Sequence, residues 1–441
     1  MHVPTCGKAY REVASVHEQT PNPGDLIIAQ GFEEKQWRCG HCQRWGGDIA
    51  RYHVPQSSER VLIIRALDTL RPCAYSRGTP HLTSNDCYQA LALALRAVQT
   101  SIQQSQKEPD DMLLASTALL APFEGVVRKN GVPTKLHVNG LAALLLARSS
   151  AYPVTQLARD IVDFNACESS IMACILSRPS PFESTSPAYI ANDNIGSAGS
   201  DQAQLKALGT ELFIRLPRLL MLLRSFRLNG SSGRQPLADA LHLSNSLLAL
   251  QDQQAEQRLL QQIEVQSSPS LKADCPRHSH LHFASVQDYE ALAYYWQSRL
   301  CLLRVRTRLQ DNLSSRRIQT NHEMDPSLIS QSCPQSFQKE ISRLAMNLLM
   351  CSKYTETLQL RKQIRLSAHA AVIVWGVMNE STLPWVHESE VEKSSVLAML
   401  LRRVNMALEA HPDLSAEDMN LAADMFAGGE AQGRFVELFV S

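Results

Sequence analysis

Aromatic residues are scarce in this chain: Phe, Trp and Tyr make up 6% of its 441 residues, too few to suit the interior of a β-sandwich. Leucine-rich packing has to supply the core instead, and the expectation is an all-α protein. Neither sign of charge is in excess, since 43 basic residues face 43 acidic ones. That balance argues against whole-surface attraction to nucleic acid and leaves room only for a local basic patch. Long apolar runs are missing too: Leu141 to Ala147 and Ala370 to Val374 are far too short to cross a bilayer, so no membrane partner is expected. No basic segment followed by an apolar stretch opens the chain, and its eleven cysteines are scattered and odd in number, unlike a secreted disulfide framework. The expectation is an intracellular protein with reduced thiols.

Catalytic signatures are equally lacking. The chain contains no G-x-S-x-G elbow, no G-x-x-x-x-G-K-[ST] loop, no Rossmann glycine fingerprint and no H-E-x-x-H helix. Carboxylates are plentiful, but charged positions on predicted helices are ordinarily solvated faces, and sequence alone places no two of them together. No catalytic or cofactor-binding residue is nominated, and an enzyme is not expected.

What the chain does have is helical periodicity. Tyr88, Leu91, Leu95, Val98 and Ile102 recur at three- and four-residue intervals, which predicts a buried stripe on a helix starting near Ser84 or Asp86. Glu108-Pro109-Asp110-Asp111 restarts the chain with acids suited to a helix N-terminus, and Leu141, Leu144 and Leu145 bury a third helix ending near Arg148. Leu157, Ile161, Phe164, Cys167, Ile171, Cys174 and Ile175 keep the same spacing, the two cysteines reading as small buried apolar residues. Residues from 177 to about 203, rich in Ser, Pro, Asn and Gly, predict a flexible loop and the best internal boundary. Beyond it, a helix from about Leu205 to Phe226 should kink or restart at Pro217, and a second runs from about Pro236 to Ile263, its apolar face interrupted by Ser244. Further helices are expected over Phe283–Gln310, within Ile341–Met378, over Glu390–Glu409 and over Ser415–Phe439. Arg299, Arg304, Arg306 and Arg308 fall on different faces of the first of these, so they should pair with acids and cover apolar surface with their stems instead of tracking phosphates. No fixed internal repeat is found.

Two stretches raise the question of metal. Cys39-x-x-Cys42 has the spacing of half a zinc site, but no second C-x-x-C completes it. Isolated half-motifs mostly fail, so unligated thiols in an irregular arm of residues 1–60 is the favoured reading, with zinc on Cys39 and Cys42 as the alternative. His278, His280 and His282 would point one way in an extended chain near Cys275, yet nothing positions a supporting shell, and no metal is expected there.

The order Tyr88-x-Ala90-Leu91, Asp111-x-Leu113-Leu114-Ala115, Glu124, His137-x-x-Gly140 and Arg148 resembles the helical regulatory region of fungal zinc-cluster transcription factors. Tyr294-Tyr295-Trp296 followed by Arg299, and His369 to Gly376 with its Trp375, resemble two later helices of that family. The likeness runs loosely over residues 60–440. It implies a large regulatory domain of packed helical hairpins at 61–441 and a nuclear transcription regulator of secondary-metabolite gene clusters. Such a regulator acts through other transcription regulators, as a homo- or heterodimer, or through a small-molecule effector. The family's six-cysteine zinc cluster is not present in these residues, so DNA would be reached indirectly, unless a cluster lies upstream of this chain. The competing reading is a helical small-molecule binding protein or enzyme outside transcription.

Overall fold

A computed structural model of the chain describes residues 84–104, 109–120 apart from 112 and 119, 135–148, 154–185, 200–228, 234–267, 279–320, 334–358, 361–380, 390–408, 410 and 412–440. The described residues are overwhelmingly helical, and the fold is all-α. Helices α1 (Ser84–Gln104), α2 (Lys135–Ala147), α3 (Gln156–Ile175) and α4 (Asp201–Leu228) come first. A break separates α5 (Arg234–Leu248) from α6 (Gln253–Gln261), and strands β1 (Glu264–Ser267) and β2 (Ser279–His282) follow. The long α7 (Val286–Thr320) leads to α8 (Pro334–Met350), the short α9 (Ser352–Thr355) and α10 (Arg361–Glu380). α11 (Glu390–Leu408), α12 (Ala416–Met425) and α13 (Arg434–Val440) end the chain.

α7 is the axis of the body, packing against α4, α5, α8 and α10. Four aromatics lie on it, Tyr289, Tyr294, Tyr295 and Trp296, all fully buried, with Leu300, Leu302, Leu303, Val305 and Leu309 on the following turns. A helix this apolar on every side can only be stable when other helices surround it. Each buried leucine adds about 1.5–3 kcal/mol relative to exposure, before the entropy of ordering is set against it. α4 comes closest, because Gly209 has no side chain. A Cβ at that position would lie 2.8 Å from the backbone carbon of Tyr294 and the backbone nitrogen of Tyr295.

Several expectations are corrected by local chemistry. Pro217 does not restart the helix: of the kink or restart expected there, the restart is ruled out, since α4 runs through it with Phe213, Leu216, Leu219 and Leu220 buried on either side. Tertiary packing thus outweighs the lost backbone hydrogen bond. The single helix expected from Pro236 to Ile263 is instead two, because Asp252 accepts from the Ala255 amide at 2.8 Å and starts α6 as an N-cap. Ser415 to Phe439 likewise splits into α12 and α13, the first opened by a capping box between Ser415 and Asp418. Of the loop expected at 177–203, residues 181–185 form a turn that buries Phe182 and Thr185, and Ser200 already caps α4 through the Ala203 amide. Residues 186–199 lie outside the described residues. On α1 the predicted stripe holds at Leu91 and Val98, whereas Ile102 is 48% exposed. The one ladder among the described residues pairs β1 with β2 antiparallel, setting Glu264 opposite His282 and Val265 opposite Leu281.

Arg224 ties three chain ends together without a carboxylate. Its Nε donates to the Gly429 carbonyl at 2.6 Å, Nη1 to the Cys174 carbonyl at 2.5 Å and Nη2 to the Met425 carbonyl at 2.8 Å. The Cys174 and Met425 carbonyls lie at the C-terminal ends of α3 and α12, where helix dipoles leave partial negative charge, while Gly429 follows the turn after α12 and Ser177 Oγ accepts from Nη1 at 2.7 Å. Only a planar fork of donors can serve three such acceptors at once. Urea unfolding should therefore show Arg224→Lys destabilised by about 2–3 kcal/mol and Arg224→Met by more. Gly209→Ala should cost about 1–3 kcal/mol, whereas Gly140→Ala on α2, where a Cβ meets nothing within 4 Å, should be neutral or stabilising.

Candidate functional site

The four arginines of α7 do divide between faces: Arg299 and Arg306 reach separate neighbours, whereas Arg304 and Arg308 meet on one carboxylate. Arg299 donates from Nε to Glu340 on α8 at 3.0 Å, from Nη1 to the Leu248 carbonyl at 2.8 Å and from Nη2 to Gln251 at 2.8 Å. It therefore closes the C-terminus of α5 while holding α8. Arg304 grips Glu380 at the end of α10 with Nε at 3.1 Å and Nη2 at 2.9 Å, lying over Gly376, where any Cβ would overlap its guanidinium. Arg308 shares Glu380 and also reaches Asp424 of α12 at 2.5 Å. Arg306, 1% exposed, has one hydrogen bond, to Ser244 Oγ on α5 at 3.1 Å. That bond explains why a serine interrupts the apolar face of α5.

Around Arg299 the end of α5, α6 and α8 enclose an open groove of about 760 Å³. Its floor includes Glu256, 3% exposed, whose Oε1 accepts from Trp296 Nε1 on α7 at 2.7 Å and from Arg343 Nη1 on α8. Arg343 Nη2 reaches Oε2 of the same carboxylate at 3.2 Å. One buried acid thus joins α6, α7 and α8, its charge matched by a guanidinium that spans both oxygens and its Oε1 shared with an indole. Gln253 and Gln257 stand one turn apart on the α6 wall, as Lys339 and Arg343 do on the α8 wall, with Phe337, Leu248 and Leu260 as apolar surface. The size is that of a small-molecule site. Both carboxylates in it are engaged by arginines, an arrangement suited to holding a ligand.

Two other polar clusters lie away from the groove, one partly buried and one within the core. Lys206 of α4 bridges Asp163 at 2.8 Å and Glu290 at 3.2 Å, and Gln363 also donates to Glu290 at 3.0 Å. Burial disfavours the Lys206 charge, but the two carboxylates outweigh it and hold the amine protonated. His369 on α10 lies within the core, its Nδ1 2.8 Å from Gln297 Oε1 and its ring edge-on to Phe426 with centroids 4.5 Å apart. Burial pushes its pKa down to about 3. Cys167, Cys174, Cys301 and Cys351 are buried thiols outside any disulfide, as packing residues would be, and burial raises the pKa of Cys174, Cys301 and Cys351.

Of the residues that sequence reasoning offered for metal, Cys39, Cys42, Cys275 and His278 lie outside the described residues. His280 and His282 sit on β2, and among the described residues no group of three or more side chains is arranged to hold a metal ion. Asp111 and Arg148, both part of the family-like pattern, meet as an ion pair at 2.8 Å. Glu256 and Arg343 were not singled out from sequence, because 87 positions separate them and neither sits in a motif. The break at Asp252 that places Glu256 was the available signal. No family model, curated protein or solved structure matches this chain.

The depressed His369 pKa makes stability depend on pH. An unfolded chain protonates this side chain as pH falls through about 6.5, whereas the folded chain resists until about 3. The contribution is complete above about pH 6.5 and is lost progressively below it, by about 2 kcal/mol at pH 5. Urea unfolding from pH 7 to 5 should show this decline, and His369→Asn should flatten it. His280, also lowered by burial, leaves a smaller remaining slope.

Proposed function

We propose that the chain is a transcription regulator of the fungal zinc-cluster type, nuclear, governing a secondary-metabolite biosynthetic gene cluster through partner or ligand binding. The observation that carries the reading is the Tyr294-Tyr295-Trp296…Arg299 block. It resembles the family's helix in sequence and lies on α7, where Trp296 and Arg299 underpin the groove. Other regulators, in a homo- or heterodimer, supply contact with DNA, unless the arm around Cys39 and Cys42 folds on zinc. The groove is then the place where an effector or a partner changes the relation of α6, α7 and α8.

A second reading, a helical small-molecule binding protein or enzyme outside transcription, draws support from the same groove, since its volume needs no transcriptional role. The pairing of Glu256 with Arg343 and of Glu340 with Arg299 favours binding over turnover within that reading. Chromatin immunoprecipitation and nuclear fractionation of the tagged protein in its own cells separate the two. Nuclear enrichment with promoter association that disappears when a partner regulator is deleted is expected. A protein excluded from the nucleus and from every promoter overturns the regulator.

A further inference from the structure

We propose that the groove between α5, α6 and α8 binds a small organic acid, its acid group held by Arg343 and Lys339 and its apolar body by Phe337, Leu248 and Leu260. The inference rests on reading this groove as a binding site, and it needs no promoter role. The charged lining consists of Arg299, Lys339 and Arg343 against Glu256 and Glu340, leaving one positive charge in excess. Glu340 is taken by Arg299 and Glu256 by Arg343, so the exposed ammonium of Lys339 is the spare cation.

Arg343 has donors to spare as well. A guanidinium carries five N–H groups. The contacts from Nη1 and Nη2 to Glu256 use one hydrogen on each nitrogen, leaving Nε–H and the outer hydrogens. Its side chain lines the groove and is 42% exposed although the carboxylate it holds is 4% exposed, so the guanidinium is accessible to a ligand there. An anion can therefore be accepted without breaking the Glu256 pair, which would leave a buried carboxylate with the Trp296 indole alone. Lys339, one helical turn away on the same wall, adds the charge that the Arg343–Glu256 pair has cancelled. Gln253 and Gln257 also line the groove, and an amide hydrogen-bonds equally well to hydroxyl or carbonyl substituents, so they tolerate variety in the ligand.

The test uses the purified full chain and isothermal titration calorimetry with 2-naphthoate, its neutral isostere 2-naphthamide, and 2-naphthyl phosphate. Saturable binding of the carboxylate, at least about tenfold tighter than the amide and weakening with salt, is expected. Tighter binding of the phosphate than of the carboxylate keeps the anion site and identifies a phosphorylated ligand. Lys339→Glu, at an exposed position, should weaken the acid about tenfold, whereas the charge reversal Arg218→Glu, at a residue 52% exposed on α4, should leave it unchanged. Equal affinity for acid and amide, indifference to Lys339→Glu, or no saturable binding of either anion overturns the proposal. Because the measurement involves no DNA and no partner, its failure would leave promoter association untouched, and loss of promoter association would leave this binding untouched.

Discussion

Guanidinium groups buried inside a leucine-rich body have to find acceptors, and this requirement fixes how the helices stand around α7. Taking a charge out of water costs several kcal/mol even after relaxation, and a buried charge stripped of its partner is more costly than a well-paired one. Arg299, Arg304 and Arg306 are each 3% exposed or less, and their heads leave α7 toward α8, α10 and α5 respectively. Apolar contacts alone permit many slippages between leucine-covered helices. A fork that must meet Glu340 and the Leu248 carbonyl at once permits very few. Arg224 works in the same manner on the far side of α4, with main-chain carbonyls in place of acids.

The groove is a consequence of that arrangement. α5 stops at Leu248, where Arg299 takes its last carbonyl, and Asp252 starts α6 in a new direction. The turn carries Glu256 under α8, where Arg343 and Trp296 meet it from two sides. Neutral overall composition conceals this internal order, because equal numbers of basic and acidic residues do not reveal which of them pair inside. The floor of the groove thus includes one carboxylate shared by three helices, and a pull on Arg343 acts on a group that α6 and α7 also hold.

Much of the helical body could be read from leucine spacing, because an amphipathic helix writes its buried face into a short window of residues. α1, α3 and α4 follow that logic to within a few residues, and the arginines of α7 were separable by face for the same reason. The places where spacing misled are those decided by a single polar side chain. Asp252 and the Ser415–Asp418 box each end one apolar pattern and begin another with no change in its period. β1 and β2 are four residues each, shorter than the window in which alternation becomes visible. The groove itself was not legible, since Trp296 meets Glu256 across 40 positions and Arg343 meets it across 87. Ser244 stands between these cases: its interruption of the α5 face was visible, and the buried Arg306 that accounts for it was not.

The claim that arginine heads register the helices around the groove is tested most directly by a double-mutant cycle on Arg299 and Glu340, using Arg299→Met, Glu340→Gln and the pair in equilibrium urea unfolding. The account predicts a coupling of about 1–3 kcal/mol, with one cooperative transition in all four proteins. Additivity within about 0.5 kcal/mol would contradict it, and would mean that the Arg299–Glu340 pair does not set the position of α8.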